Sequence, residues 1–152
     1  MRYPFGFGLS YTTFDIGEPS VSATEIAPGD AVTVTVPVTN SGARPGSHVV
    51  QVYVSHRDPA VQRPESELKG FAKVHLAAGE TTHVTIELPA RAFAYWDPGD
   101  VYRASFRASV EGIPTEADLD LRGTWRVDAG NYEIRVGSSS EYIHHTASIE
   151  VR

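Results

Sequence analysis

Several carboxylates gather in one stretch of the sequence and are the first candidates for catalysis. They are Asp97, Asp100, Glu111, Glu116, Asp118 and Asp120. A hydrolase that uses two carboxylates holds them about 5 Å apart, or further apart when it inverts configuration. However, Asp118 and Asp120 alternate with Leu119 and Leu121, as side chains on the solvated face of a strand do. The pattern predicts no catalytic pair, and we assign no catalytic residue.

The histidines, serines and glycines show no spacing that is typical of a reactive site. The chain has six histidines but no cysteine and no His-Glu-x-x-His pattern. Asp118-x-Asp120 lacks the glycine and the terminal glutamate of a calcium loop. The run Gly137-Ser138-Ser139-Ser140 lacks the Gly-x-Ser-x-Gly form, and Gly6-x-Gly8 precedes a strand rather than opening a helix. We expect structural histidines, no bound metal and no cofactor.

Aromatic rings are the third kind of candidate, because exposed rings can stack on sugars. The candidates are Tyr95, Trp96, Tyr102, Trp125 and Tyr142. In a β-sandwich most large aromatic side chains lie in the core or at the rim of a sheet, and alternation does not show which are exposed. We expect core packing for Trp125, whereas either position suits Trp96 equally. We assign no substrate-binding residue.

Length and composition indicate the kind of molecule that carries these residues. The chain has 152 residues, 41% of them hydrophobic, and a formal net charge of −6. These values predict one soluble domain and argue against a nucleic-acid partner. No run approaches the roughly 18 apolar residues of a membrane helix, and Met1-Arg2-Tyr3-Pro4 does not begin a signal peptide. We hypothesise that Met1 starts a fragment of a longer chain, and the cellular compartment stays open.

Apolar and polar residues alternate with a period of two through most of the chain, which is typical of half-buried strands. The apolar sets are Val32, Val34, Val36 and Val38; Val50, Val52 and Val54; Leu68, Ala72, Val74 and Leu76; Val84, Ile86 and Leu88; Tyr132, Ile134 and Val136; and Ile143, Ala147, Ile149 and Val151. No segment shows a convincing helical period. Short strands separated by turn residues predict an all-β fold, an antiparallel sandwich.

Local signals refine the strand assignment. Ala77-Ala78-Gly79-Glu80 predicts a turn, and the strands on either side of it are close enough to form a hairpin. Pro37 cannot donate a backbone hydrogen bond, so we expect it at a sheet edge or a bulge. Asp128-Ala129-Gly130-Asn131-Tyr132 has the Asp-x-Gly-x-Tyr form of the tyrosine corner in immunoglobulin-like sandwiches. A glycine turn followed by a half-buried tyrosine is the alternative interpretation.

The N-terminal segment combines large apolar residues with intervening glycines. Glycine permits close backbone approach, and aromatic rings bury large areas. We predict that residues 1–12 form an extended strap, and we use this name below, while residues 13–152 form the sandwich. The predicted domain-docking residues are Phe5, Phe7, Leu9 and Tyr11.

Several stretches occur in a particular order along the chain: 3–14 (YPFGFGLSYTTF), 38–42 (VTNSG), 52–54 (VYV), 67–74 (ELKGFAKV), 92–97 (AFAYWD), and 130–137 (GNYEIRVG) preceded by Trp125. Together they resemble the C-terminal fibronectin type III-like domain of glycoside hydrolase family 3 β-glucosidases and β-xylosidases, over roughly residues 3–97 and 124–152. The family is a retaining one, with a nucleophilic Asp and an acid/base Glu in two other domains. The resemblance therefore implies no catalytic residue in this chain.

Residues 98–123 depart from the family pattern, in which a short connection is usual. Apolar residues alternate with polar ones on both sides of the turn Gly112-Ile113-Pro114-Thr115. The pattern predicts an inserted β-hairpin with one apolar face. We favour a role in extending a sheet or covering the core, and the alternative is a surface that docks a neighbouring domain or subunit.

These observations predict a non-catalytic accessory domain of a β-glucosidase-like retaining glycosidase. Its expected partners are the catalytic domains of the parent enzyme, which it supports by domain docking. Self-association through the strap or the inserted hairpin is a further option, and no nucleic-acid or membrane partner is expected. Two other functions stay open, namely a carbohydrate-binding module that uses exposed aromatics and an independent adhesion or assembly domain.

Overall fold

The computed structural model describes residues 3–99 and 123–152. Within these ranges the chain forms strands and one short 3₁₀ helix, Ala90–Phe93, and no helix there is long and apolar enough to cross a membrane. The chain divides into a larger unit, residues 1–92 with 128–152, and a smaller unit, residues 93–127. The strands are β1 (Phe14–Ile16), β2 (Ser20–Val21), β3 (Glu25–Ile26), β4 (Val32–Asn40), β5 (Gly46–His56), β6 (Glu67–Leu76), β7 (Thr81–Leu88), β8 (Tyr95–Asp97), β9 (Thr124–Arg126), β10 (Gly130–Gly137) and β11 (Ile143–Val151).

The larger unit contains two sheets. In the first, β7 pairs antiparallel with β4 along one edge, while β1 and β2 pair one after the other along the opposite edge. The second sheet has the order β3-β11-β10-β5-β6. All its neighbours are antiparallel except β3 and β11, which run parallel.

The predicted alternation of side chains is present in both sheets. The apolar residues of β4, β7 and β10 point inward and are buried, and the intervening residues are more exposed. The sheets approach closely at Gly70 of β6, where a Cβ atom would lie 2.6 Å from Ile86 Cγ2 and 3.1 Å from Leu88 Cδ2. The predicted all-β sandwich is confirmed.

The predicted hairpin around residues 77–80 is wrong, although the turn itself is present. Gly79 adopts a φ of 76°, and the Glu80 amide donates to the Ala77 carbonyl at 3.1 Å. However, β6 pairs with β5 and β7 pairs with β4, so the turn carries the chain from one sheet to the other. Sequence proximity alone does not distinguish a hairpin from such a crossing between sheets.

The expectation of an edge position or a bulge for Pro37 is also wrong, because β4 is bonded along both edges and its register continues through Pro37. The Pro37 carbonyl accepts from the Gly17 amide at 2.8 Å, so this side of Pro37 faces the interruption between β1 and β2. A proline is tolerated there because the neighbouring edge is broken where its missing N–H would point. A Cβ on Gly17 would lie 2.6 Å from Pro37 Cγ, so the glycine admits the ring.

The predicted tyrosine corner is present. The Tyr132 hydroxyl donates to the Asp128 carbonyl at 2.8 Å, and its fully buried ring lies 4.3 Å from the His56 ring, centroid to centroid. Gly130 has a φ of 140°, a conformation that side-chain-bearing residues rarely adopt. The Asp-x-Gly-x-Tyr motif therefore forms the predicted backbone hydrogen bond at the start of β10.

In the smaller unit, β8 and β9 form an antiparallel ribbon that pairs Tyr95 with Arg126, Trp96 with Trp125 and Asp97 with Thr124. This pairing brings together the two ends of the predicted insertion, residues 98–123. Residues 100–122, and with them nearly all of the predicted hairpin, lie outside the described residues.

Candidate docking surface

The four predicted docking side chains are all exposed. Leu9 and Tyr11 are the extremes, with 91% and 97% of their surface accessible, and Phe5 and Phe7 are also exposed. The Phe7 ring stacks on the Tyr3 ring at a centroid distance of 5.4 Å, and the Phe7 amide donates to the Pro4 carbonyl at 3.1 Å. A single exposed apolar side chain is normal on a protein surface, whereas a cluster of large ones usually marks a binding surface.

The backbone of the strap is held in place by Gln51 of β5. The Gln51 side-chain amide donates to the Gly6 carbonyl at 3.0 Å and to the Ser138 carbonyl at 2.8 Å. Gly6 adopts a φ of 79°, and a Cβ atom there would overlap the Gln51 side chain. A glycine is therefore required where the strap crosses β5, for its dihedral angle and for the space.

Further contacts support this anchor from both sides. The Tyr53 hydroxyl donates to Gln51 Oε1 at 2.5 Å, and burial raises the pKa of Tyr53. The Ser140 amide donates to the Phe5 carbonyl at 2.9 Å. Gln51 and Tyr53 alternate with the inward-facing valines of β5, so they lie on the outer face of the second sheet. Both are buried, which shows that this face is covered.

A second anchor holds the C-terminal end of the strap. The Thr12 hydroxyl donates to Asn40 Oδ1 at 2.8 Å, and the Gly42 amide donates to the same oxygen at 3.1 Å. The Asn40 amide group donates to the carbonyls of Arg44 and Leu76 at 2.8 and 3.1 Å. Asn40 is fully buried, and its polar atoms are satisfied by these bonds. The backbone is thus fixed on both sides of Leu9 and Tyr11.

A cavity of about 320 Å³ opens beside the strap. Phe7, Leu9 and Tyr142 contribute apolar surface to it, and Ser47 and His48 contribute polar atoms. Such a mixture of apolar surface with a few polar groups is usual for sites that receive a side chain or a small ligand.

Two histidines near this cavity, His48 and His144, have lowered pKa values. Burial, and then the nearby charge of His144, lower the pKa of His48, whose ring stacks on Phe14 at 5.0 Å. Burial, and then His145, lower the pKa of His144. His144 Nε2 lies 3.2 Å from the Ser138 hydroxyl, and His145 Nε2 lies 2.9 Å from the Ile16 carbonyl oxygen. The adjacent pair therefore makes structural contacts.

The structure supplies no catalytic role for the candidate carboxylate it describes. Asp97 is buried and forms an ion pair with Arg126 at 2.8 Å, while the other five candidates of the acidic stretch lie outside the described residues. Among residues 3–99 and 123–152, no three His, Asp or Glu side chains are grouped so that they could hold a metal ion.

The aromatic candidates are distributed differently from the sequence expectation. Trp125 is 47% exposed, so its predicted core packing is wrong, and Trp96 is 52% exposed. Both lie on the β8–β9 ribbon. Tyr142 is exposed, Tyr95 is partly buried, and Tyr102 lies outside the described residues.

Sequence reasoning missed Gln51 and Asn40, the two polar anchors of the strap. Gln51 alternates with Val50 and Val52, which suggests a solvated position, and Asn40 stands at the end of an alternating strand. Periodicity describes only the local strand, and it gives no sign that a distant segment covers the outer face. The glycine at position 6 was the available signal, because it indicates close backbone approach.

Comparisons with known proteins agree with this architecture. A family model described as a fibronectin type III-like domain matches residues 48–110. A β-glucosidase of Rhizobium radiobacter is 41% identical over 149 residues, which cover 98% of this chain and 15% of that enzyme. The crystal structure of a family 3 β-glucosidase from Bifidobacterium adolescentis matches with a TM-score of 0.76 and 40% identity, covering 98% of this chain and 18% of that one.

Over nearly its whole length, the chain is similar to the part of family 3 β-glucosidases that carries a fibronectin type III-like domain. The predicted family resemblance is thereby confirmed. A β-glucosidase of Erythrobacter marinus gives a TM-score of 0.79 at 33% identity, over 99% of this module and 17% of that chain. The module spans only about a sixth of the length of these relatives. Its similarity to them extends through the strap as well as the sandwich, since nearly the whole module is matched.

Proposed function

We propose that this module is a non-catalytic accessory domain of a β-glucosidase-like glycoside hydrolase, and that the strap docks it against the catalytic part of the enzyme. The observation that carries the proposal is the contrast within the strap. Its backbone is fixed by Gln51 and Asn40, while Phe5, Leu9 and Tyr11 are exposed. An ordered segment that presents apolar side chains outward is suited to contact with a second surface.

The energetics support a docking role. Full burial of side chains of this size stabilises a complex by about 1.5–3 kcal/mol each. Docking an already ordered segment also avoids much of the conformational entropy cost that a flexible peptide would incur. The strap can therefore contribute several kcal/mol to domain association without refolding.

The small share of its relatives that the module matches supports the proposed absence of catalysis in the module alone. It corresponds to about 15% of the Rhizobium radiobacter enzyme, and the one described candidate carboxylate, Asp97, is buried in an ion pair with Arg126. We expect the isolated 152-residue chain to be inactive towards a nitrophenyl β-glucoside, and measurable turnover by the pure chain would refute the proposal.

The test of docking joins this module to the part of the Rhizobium radiobacter β-glucosidase that precedes its matching region. In this chimera, Phe5, Leu9 and Tyr11 are replaced together by serine. The replacement should lower the Tm of the catalytic part by several degrees and reduce kcat/KM, because exposed apolar surface is lost from the interface. In the isolated module the same triple change should leave the Tm nearly unchanged, since the three side chains are exposed there.

Phe71→Ser is the matched control, because Phe71 is an exposed phenylalanine on β6 rather than on the strap. It should have little effect in either protein. Docking through the strap is refuted if the triple variant and Phe71→Ser behave alike in the chimera. It is also refuted if the isolated module forms dimers that the triple change abolishes while the chimera is unaffected, because the strap would then serve self-association.

A further inference from the structure

The smaller unit carries a second exposed aromatic feature that the docking proposal does not use. Trp96 of β8 and Trp125 of β9 occupy directly paired positions of the ribbon, so both indoles project from the same face. Their ring centroids are 5.4 Å apart at an interplanar angle of 67°, and about half of each side chain is accessible. The two rings therefore form the walls of an open corner.

Two close contacts set the orientation of the rings. A Cβ atom on Gly123 would overlap the Trp96 ring, so this glycine permits the indole to lie against the backbone. The edge of one indole also packs against the face of the other, which is a favourable arrangement for aromatic pairs. A ligand would thus meet rings whose orientation is already fixed, and binding would cost little side-chain entropy.

Thr124 and Arg126 flank Trp125 on β9, so their side chains lie on the opposite face of the ribbon from the indoles. On that opposite face, Arg126 Nε is 2.8 Å from Asp97 Oδ2. The face that carries the indoles therefore offers the apolar surface of the two rings.

The size of the exposed surface distinguishes between classes of ligand. An aromatic side chain buries about 150–250 Å² when it is covered completely, so the two half-exposed rings offer on the order of 200 Å². A specific protein–protein interface buries about 800 Å² on each partner. The corner is therefore small for a protein partner but adequate for one or two rings of a small ligand.

We propose that the Trp96–Trp125 corner is a carbohydrate-binding site that takes pyranose units whose hydroxyl groups are all equatorial, as in β-linked glucose. Such a ring has an unbroken face of C–H groups, which stacks on one indole, and its rim of hydroxyl groups keeps its hydrogen bonds to water. The affinity of so small a site lies in the millimolar range. The proposal does not depend on docking through the strap.

Intrinsic fluorescence tests the proposal directly, because Trp96 and Trp125 are the two tryptophans of the chain. Titration of the 152-residue chain with cellotetraose should change the emission and saturate at millimolar sugar. Trp96→Ala and Trp125→Ala should each weaken binding at least tenfold, measured by calorimetry as well as by emission of the remaining indole. Trp125→Phe keeps a flat ring and should weaken binding less than Trp125→Ala.

The matched control is Tyr142→Ala, which removes an exposed ring from the larger unit and should leave the affinity unchanged. Circular dichroism of each variant reports whether it is folded. No saturable response at tens of millimolar cellotetraose overturns the proposal, as does binding that survives both alanine variants. If acrylamide quenches the tryptophans in the isolated chain but not in the chimera, the indoles are covered by the catalytic part and the carbohydrate assignment is equally overturned.

Discussion

Replacing Gln51 with leucine should release the strap from the sandwich. Leucine is similar in length but cannot donate to the carbonyls of Gly6 and Ser138 or accept from the Tyr53 hydroxyl. The two carbonyls can reach water once the strap moves away, whereas the Tyr53 hydroxyl stays buried. The change therefore removes the anchor of the strap without creating a cavity in the core.

The three lost hydrogen bonds determine how far Gln51→Leu should lower the free energy of unfolding. Each contributes about 1 kcal/mol net, and a buried hydroxyl left without a partner costs about 1–3 kcal/mol more. The free energy of unfolding should thus fall by about 4–6 kcal/mol, which corresponds to about 10–20 °C in Tm for a domain of this size. Tyr53→Phe is the matched control. It removes only the bond to Gln51 Oε1, so its effect should be smaller and the strap should stay in place.

Hydrogen exchange of individual amides separates loss of the strap from general destabilisation. The Ser140 amide donates to the Phe5 carbonyl of the strap at 2.9 Å, whereas the Ser138 amide donates to the Tyr142 carbonyl at 3.0 Å. Under native conditions, Gln51→Leu should accelerate exchange at Ser140 much more than at Ser138. If the two amides respond equally, or if Ser140 is unaffected while the Tm falls, then Gln51 does not anchor the strap.

Three further outcomes follow from the same structure. Tyr132→Phe removes the hydrogen bond to the Asp128 carbonyl. It should reduce the free energy of unfolding by about 1–3 kcal/mol and leave the exchange of the Ser140 amide unchanged. An unchanged free energy of unfolding in chemical denaturation would argue against the tyrosine corner as a stabilising element. Gly6→Ala should loosen the strap, because Gly6 has a φ of 79° and a Cβ atom there would overlap the Gln51 side chain. Gly8→Ala should not loosen it, because the space around a Cβ atom at Gly8 is open. Equal exchange rates of the Ser140 amide in the two variants would contradict this prediction. Burial lowers the pKa values of His48 and His144 below the usual 6.5, so the unfolded chain binds more protons than the folded chain as the pH falls below about 6.5. The free energy of unfolding should thus decline between pH 7 and pH 5. His48→Asn should make the Tm depend less on pH over this range. A Tm that rises as the pH falls would contradict the prediction.

Local patterns were sufficient for the strands and for the tyrosine corner. Alternation placed the valines of β4 and β5 correctly because a strand with one buried face must repeat every two residues. The Asp-x-Gly-x-Tyr motif succeeded because its bond joins Tyr132 to Asp128, only four residues away. Both signals are contained within a few residues of sequence, so they could be interpreted without knowledge of the fold.

The errors concern partners that are distant in sequence. Pro37 lies in a central strand because the break between β1 and β2 happens to fall beside it. Gln51 was missed because the segment that buries it is 45 residues away. Trp125 was expected in the core because large aromatics usually are, but 47% of its surface is exposed. These features depend on which segments meet, and periodicity does not contain that information.

The position of β10 has a consequence for synthesis on the ribosome. Before residues 130–137 emerge, the second sheet consists only of the β5–β6 pair, because β10 joins β5 to β11 and β11 in turn joins β3. The pairings that complete this sheet, β10 with β5 and β11 with β3, join strands that are separated by long stretches of chain, and such contacts form slowly. The second sheet should remain incomplete until nearly all of the module has left the exit tunnel. Until then, the valine-rich strands β4 and β5 should be accessible to chaperones.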